Sequence, residues 1–165
     1  MTKKKVLTPE EIAENDLRTT PRGIFWTAEA YWEAARVVDA AKMKATRHRS
    51  PIRFLYYHAL ELYLKAYLRA KGCTVQDLYG MGHRYKALLE AAKGFGLKVQ
   101  AEDASLLTSL GMGDAWIRAR YIRTGLARVG WYATSTLNAS CERLDHLVRD
   151  ELEALGISTA NSDAR

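Results

Sequence analysis

Apolar residues recur at helical spacing along most of the chain. The densest run follows Ser50-Pro51. There Ile52, Leu55, Ala59, Leu62 and Ala66 make one stripe, and Tyr56, Leu60, Tyr63, Leu64 and Tyr67 widen it over most of the helix girth. A helix apolar on so many sides belongs at the centre of a bundle. Serine as a cap and proline at the first helical position predict its start, and Lys71-Gly72, a basic last turn followed by glycine, predicts its stop, giving a helix over about 51–70. A second long helix is predicted over about 133–155, with Leu137, Cys141, Leu144, Val148 and Leu152 inward and Gly156 as its stop.

Shorter elements fill the rest. Thr8-Pro9-Glu10-Glu11 opens a short helix that stops near Thr20-Pro21. From Thr27 a further helix carries Ala28, Tyr31, Ala35 and Val38 on one face, extended by the stem of Lys42, with Asp39 at its solvent edge. Thr74 to Asp77 is a capping-box variant opening a single turn through Leu78, and Gly80, Met81 and Gly82 break the chain. Helices are expected over 84–93, with Leu88, Leu89 and Ala92 inward, and over 102–110, broken at Gly111, Met112 and Gly113. Asp114 can cap a short segment that ends at Thr124-Gly125. The short links between long helices favour antiparallel neighbours. The expected organisation is a basic tail and short helix over 1–20, an all-α antiparallel helical bundle over 21–156, and a polar, disordered tail over 157–165.

Composition narrows the classes. The chain has 165 residues, 48% hydrophobic and 27% charged, enough for one core without disulfide or metal staples. Three prolines and eleven glycines argue against a many-turned β-sandwich. Cys73 and Cys141 form no CxxC and have no histidine at zinc-finger spacing, which predicts buried free thiols of a cytoplasmic protein. The lysines of the N-terminus have no apolar run behind them, so no signal peptide is expected. No stretch approaches about 18 uninterrupted apolar residues, so no membrane span is expected either. Asn138-Ala139-Ser140 reads as an accidental sequon.

Charge adds a direction. The net charge is +6, and a surplus of that size favours acidic partners such as nucleic acid or nucleotides. The cations are unevenly placed. No acidic residue stands between Asp39 and Glu61, where Arg47, Arg49 and Arg53 stand with Lys42 and Lys44. None stands between Asp114 and Glu142, where Arg118, Arg120, Arg123 and Arg128 alternate with Trp116, Tyr121, Trp131 and Tyr132. Arginine interleaved with aromatics suits phosphate contact and base stacking. It also suits a solvated helix corner.

Candidate chemistry is sparse. His58, Glu61 and Lys65 share one helix face, so Glu61 can hold His58 as an oriented acid-base histidine while pairing with Lys65. The same trio could be a polar seam. Arg53 and His58 lie roughly 140° apart on a helix and do not share a face. The Gly-Met-Gly pairs at 80–82 and 111–113 lack the strand and the Lys-Ser/Thr of a phosphate loop. There is no GxSxG and no HExxH, and no cluster at bundle-iron spacing, so no metal or cofactor is expected.

Three segments together carry a resemblance: HALELYLKAYLRAKG from His58, GHRYKALLEAAKGFGL from Gly82, and RYIRTG from Arg120. Over residues 25–155 the chain resembles the HEPN-domain proteins of bacteria. The resemblance implies an antiparallel helical bundle that forms a homodimer. Many such proteins are metal-independent endoribonucleases of toxin-antitoxin and defence systems, and others are inactive and bind a nucleotide, RNA or a partner protein. Active members carry arginine, four to six residues, then histidine, both facing a cleft at the dimer axis. Here that pattern is met by Arg53 and His58, with Phe54 where a polar residue commonly stands, and with Arg84 where an acidic residue usually follows the second-segment histidine. The expectation is an RNA- or nucleotide-binding module, with an antitoxin or nucleotidyltransferase as cognate partner. The alternative is an endoribonuclease in which His58 moves the proton and Arg53 holds the phosphate. Arg47, Arg49, Arg118, Arg120 and Arg123 would grip the backbone, supported by Glu61, Lys65 and Tyr121.

Overall fold

The computed structural model describes residues 8–41, 49–112, 119 and 132–160. Among them stand seven helices and no strand: α1 Pro9–Arg18, α2 Pro21–Ala40, α3 Ser50–Ala70, α4 Val75–Met81, α5 Tyr85–Gly94, α6 Ala101–Met112 and α7 Thr134–Ala154. The all-α expectation holds.

Helix ends follow the local chemistry, with instructive exceptions. Thr8 and Thr74 form full capping boxes with Glu11 and Asp77. Thr20-Pro21, expected as a stop, is also a start. Thr20 accepts from the Gly23 amide and Pro21 takes the first helical position, so α2 begins six residues before Thr27 and gains buried Phe25. Ser50 was expected to cap α3; it is the first helical residue instead, and the cap position falls on Arg49 in the left-handed region, φ 47°. Gly80 and Gly111, expected breakers, lie inside α4 and α6. A single glycine costs a helix about 1 kcal/mol, which packing overrides. Gly111 also sits where an added Cβ would come within 3.4 Å of the Lys86 backbone, so α6 closes tightly on the start of α5.

The core is built around α3, whose buried positions lie on every side but one: Tyr56, Tyr57, Leu60, Tyr63, Leu64, Tyr67 and Leu68 are each almost fully enclosed. Cross-helix partners fix the directions. Asp39–Arg49, Tyr31–His58 and Phe25–Tyr63 run α2 antiparallel to α3. Arg53–Tyr132, Tyr63–Asp145 and Lys71–Glu151 run α7 parallel to it. Tyr85–Tyr57 and Tyr67–Phe95 run α5 parallel as well. α2 and α3, consecutive in the chain, are thus antiparallel, as expected. α5 and α7, both parallel to α3, each follow it with other helices between.

Polar groups in this core are paired across helices. Tyr63 donates to the buried Asp145 at 3.1 Å, Tyr85 to the Tyr57 carbonyl at 2.9 Å, and Ser140 to the buried Asp103 at 2.6 Å. Arg143 closes on Asp103 with two bonds of 2.8 and 2.7 Å, which ties α6 to α7. Arg69 fastens the periphery, donating to the carbonyls of Thr19, Asp16 and Cys73. Of the two free cysteines, Cys141 is buried as expected, whereas Cys73 is only half-buried.

The C-terminal end differs from expectation. Thr159 is buried, its carbonyl accepts from the Trp26 indole at 3.0 Å, and its hydroxyl lies between Arg149 and Glu153. The chain past Gly156 therefore packs on α2 and α7 as far as the described residues go, instead of forming a loose tail from Ser158. Its polarity concealed this: the ties at Thr159 are hydrogen bonds, with Ile157 packed on the core beside them.

The tyrosine core makes alkaline stability a test of the packing. Burial pushes the Tyr56 hydroxyl up to about 12, with Asp39 adding to the effect. Burial is also the first cause of the upward shifts at Tyr63 and Tyr85. A phenol whose folded pKa exceeds its unfolded value of about 10 stabilises the fold below that pH and withdraws the stability as pH rises through the folded value. The urea midpoint should hold to about pH 9.5 and fall between about pH 10 and 12, with tyrosinate absorbance rising in step, and Tyr56→Phe should flatten the fall. Early, non-cooperative titration of all tyrosines in the folded protein would contradict the packing.

Candidate nucleic-acid interface

One end of the bundle gathers the features that the sequence marked. α2 finishes there, and α3 and α7 begin there. Arg49, at the cap of α3, bonds Asp39 of α2 at 3.0 Å and reaches Thr134 of α7 at 3.4 Å. Arg53, in the first turn of α3, donates Nε–H to the Tyr132 carbonyl at 3.1 Å. These contacts bring together Arg49 and Arg53, inside one acid-free stretch, with Tyr132 and Thr134, inside the other. Neither α3 nor α7 has a side-chain cap or an acidic residue in its first turn, unlike α1 and α4. The positive ends of two 21-residue helices thus face the region where α2 ends and Asp39 stands.

The charge is divided in the same way. The described residues carry 14 Lys and Arg against 17 Asp and Glu, although the whole chain is +6. The positive excess therefore belongs to stretches outside them, shared equally by 1–7, 42–48 and 113–131. Arg47, Arg118, Arg120, Tyr121 and Arg123 lie outside the described residues.

The two residues of the Arg–His pattern take different surroundings. Arg53 turns toward α7, and burial, reinforced by nearby Arg49, lowers its guanidinium pKa from the ordinary value. It remains cationic at neutral pH. His58 turns toward α2. Its ring meets Tyr31 edge-on at 4.4 Å and lies parallel to Phe54 at 5.9 Å. An imidazole between two aromatic rings is held by packing, and its neighbour Phe54 supplies a surface where a polar residue would supply a hydrogen bond.

Glu61 is also reassigned. It is buried, and its carboxylate takes Lys65 at 2.6 Å on one oxygen and Nδ1 of His83 at 2.8 Å on the other. The histidine oriented by Glu61 is thus His83, from the turn between α4 and α5, and not His58. Helical spacing exposed the Lys65 contact; the His83 contact spans 22 residues and left no local signal. The arrangement joins the α4–α5 turn to the middle of α3, the polar-seam alternative. Among the described residues no group of three or more His, Cys, Asp or Glu forms a metal site, and no helix is long and apolar enough to cross a membrane.

No family model, curated protein or solved structure matches the chain.

Removing the Glu61 carboxylate should cost stability and not a surface function. Glu61→Ala leaves Lys65 and His83 without their shared acceptor. Because both can turn partly to solvent, the cost should be about 1–3 kcal/mol in urea unfolding, below that of a fully enclosed pair. A change under about 0.5 kcal/mol would mean the seam contributes nothing.

Proposed function

We propose that the protein is a HEPN-like helical module of the cytoplasm that binds RNA, or the phosphates of a nucleotide, at the end of the bundle where α3 and α7 begin. It works there as a homodimer in a toxin-antitoxin or defence setting, with an antitoxin or nucleotidyltransferase as cognate partner, and it does not cleave what it binds. The observation that carries this reading is the division of charge: the described residues are net acidic, and two of the three cation-rich stretches outside them, 42–48 and 113–131, rejoin the described chain at Arg49 and Tyr132, which meet at one place. Phosphate binding by such an arrangement is governed by released counterions and falls steeply with salt.

The surroundings of Arg53 and His58 favour binding over cleavage. Transesterification needs an imidazole that reaches the 2′-hydroxyl and a cation fixed on the same phosphate. Here the arginine supports α7 and the histidine packs on Tyr31 and Phe54. His58 then belongs to the fold, and His58→Ala should lower stability by about 1–3 kcal/mol.

The test is a fluorescence-anisotropy titration with a labelled single-stranded RNA over a range of salt, alongside gels of the same RNA. The expected result is binding that weakens with a steep log–log salt slope, loss of binding on joint charge reversal at Arg118, Arg120 and Arg123 with an unchanged circular-dichroism spectrum, and intact RNA. Unchanged binding by the triple variant would refute the interface. Cleavage persisting in EDTA, leaving a 2′,3′-cyclic phosphate and abolished by Arg53→Ala and His58→Ala, would replace the binding reading with the endoribonuclease one. A monomer mass by light scattering at micromolar concentration would remove the homodimer.

A further inference from the structure

Beside the end of the bundle just described, α2 and α7 carry a group of side chains that the charge pattern did not single out. Trp32 donates its indole N–H to Asn138 Oδ1 at 2.8 Å, from α2 to α7. One turn further along α2, the Arg36 guanidinium lies over the Trp32 ring, 5.5 Å from its centroid. One turn before Asn138, Thr134 meets Arg49, which also holds Asp39. Arg36 is exposed, Arg49 is half-exposed, and Trp32 and Asn138 are half-buried. An indole, an amide and two guanidinium groups thus share the α2–α7 surface next to the ends of both basic stretches.

We propose that Trp32, Arg36 and Asn138 form a base-and-phosphate subsite for single-stranded nucleic acid. The inference rests on the RNA-binding reading above and specifies which ligand surface that site accepts. Trp32 is held in one orientation by the bond from its N–H, so it offers a fixed aromatic face with little ordering left to lose when a base stacks. Arg36 already lies over that ring and can stack on a base or turn to the adjoining phosphate, as a planar guanidinium does on either partner. Asn138 uses its oxygen on Trp32, which points its amide N–H groups toward base carbonyls and ring nitrogens. Asp39 beside the group is neutralised by Arg49 at 3.0 Å. A paired helix hides its base faces inside the stack, so this surface selects unpaired strands.

The test compares short labelled single-stranded RNA, single-stranded DNA of the same sequence and duplex RNA by anisotropy. The wild type should bind the single strands at least tenfold more tightly than the duplex. RNA and DNA strands binding alike would locate the recognition in base and phosphate, and an RNA preference would add a 2′-hydroxyl contact to the same subsite. Trp32→Leu should weaken single-strand binding by about tenfold at an unchanged salt slope, whereas Arg36→Gln should lower the slope by about one phosphate contact. Trp32→Phe, which keeps a stacking face but loses the bond to Asn138, should stay within about threefold of wild type. Circular-dichroism melts verify folding. If Trp32→Leu does not fold, exposed Arg36→Gln decides the matter alone. Wild-type affinity and slope in both variants would overturn the subsite while leaving RNA binding standing. Equal affinity for the duplex would overturn base contact. A wild type that binds no strand at all would fail the underlying reading and this inference with it.

Discussion

The constraint on which the rest of the structure depends is the burial of α3. Its side chains are apolar on too many sides for one or two neighbours to cover. α2 and α7 cover two sides, and α5 and the short α4 take further positions along its length. Each tyrosine that α3 carries inward brings a hydroxyl that needs a partner, since an unmatched buried polar group costs about 1–3 kcal/mol. The fold meets that demand with groups from other helices: Asp145 for Tyr63, and the Phe95 carbonyl for Tyr67. Those bonds also set the registers, so the same residues that require enclosure specify how the enclosing helices lie.

One consequence is functional. With α7 parallel to α3 and α2 antiparallel to both, the end of α2 and the starts of α3 and α7 meet. Arg49 and Arg53 stand at that meeting point, each tied by its side chain to α7. The described residues are net negative, and two of the three cation-rich stretches outside them, 42–48 and 113–131, rejoin the described chain at this end. Under the proposed reading, the cations joined to that end draw a polyanion to it.

Much of the fold was legible because it rests on local signals. The stripes of α3 and α7, the capping boxes at Thr8 and Thr74 and the stop at Gly156 are all present in short stretches of sequence. What was not legible depends on distant partners or on signals with two meanings. Thr20-Pro21 ends one helix and starts another with the same two residues. Gly80 and Gly111 are tolerated because one glycine costs a helix only about 1 kcal/mol. The candidate site was half legible: the acid-free windows were visible, but the Glu61–His83 pair, the Trp32–Asn138 bond and the docking of Thr159 each bridge segments far apart in sequence. The Arg–His spacing was visible too, yet only the packing of His58 between Tyr31 and Phe54 shows what that residue does in the fold.

The central claim is that one end of the bundle, and not its flanks, receives the polyanion. The most direct measurement is an amide chemical-shift map of the isotopically labelled protein titrated with a short single-stranded RNA. The account predicts the largest shifts at the end of α2, the first turns of α3 and α7, and the indole of Trp32, with α1, α4 and the end of α3 at Arg69 unmoved. Shifts centred on α1 and α4, or spread evenly over the surface, would contradict it.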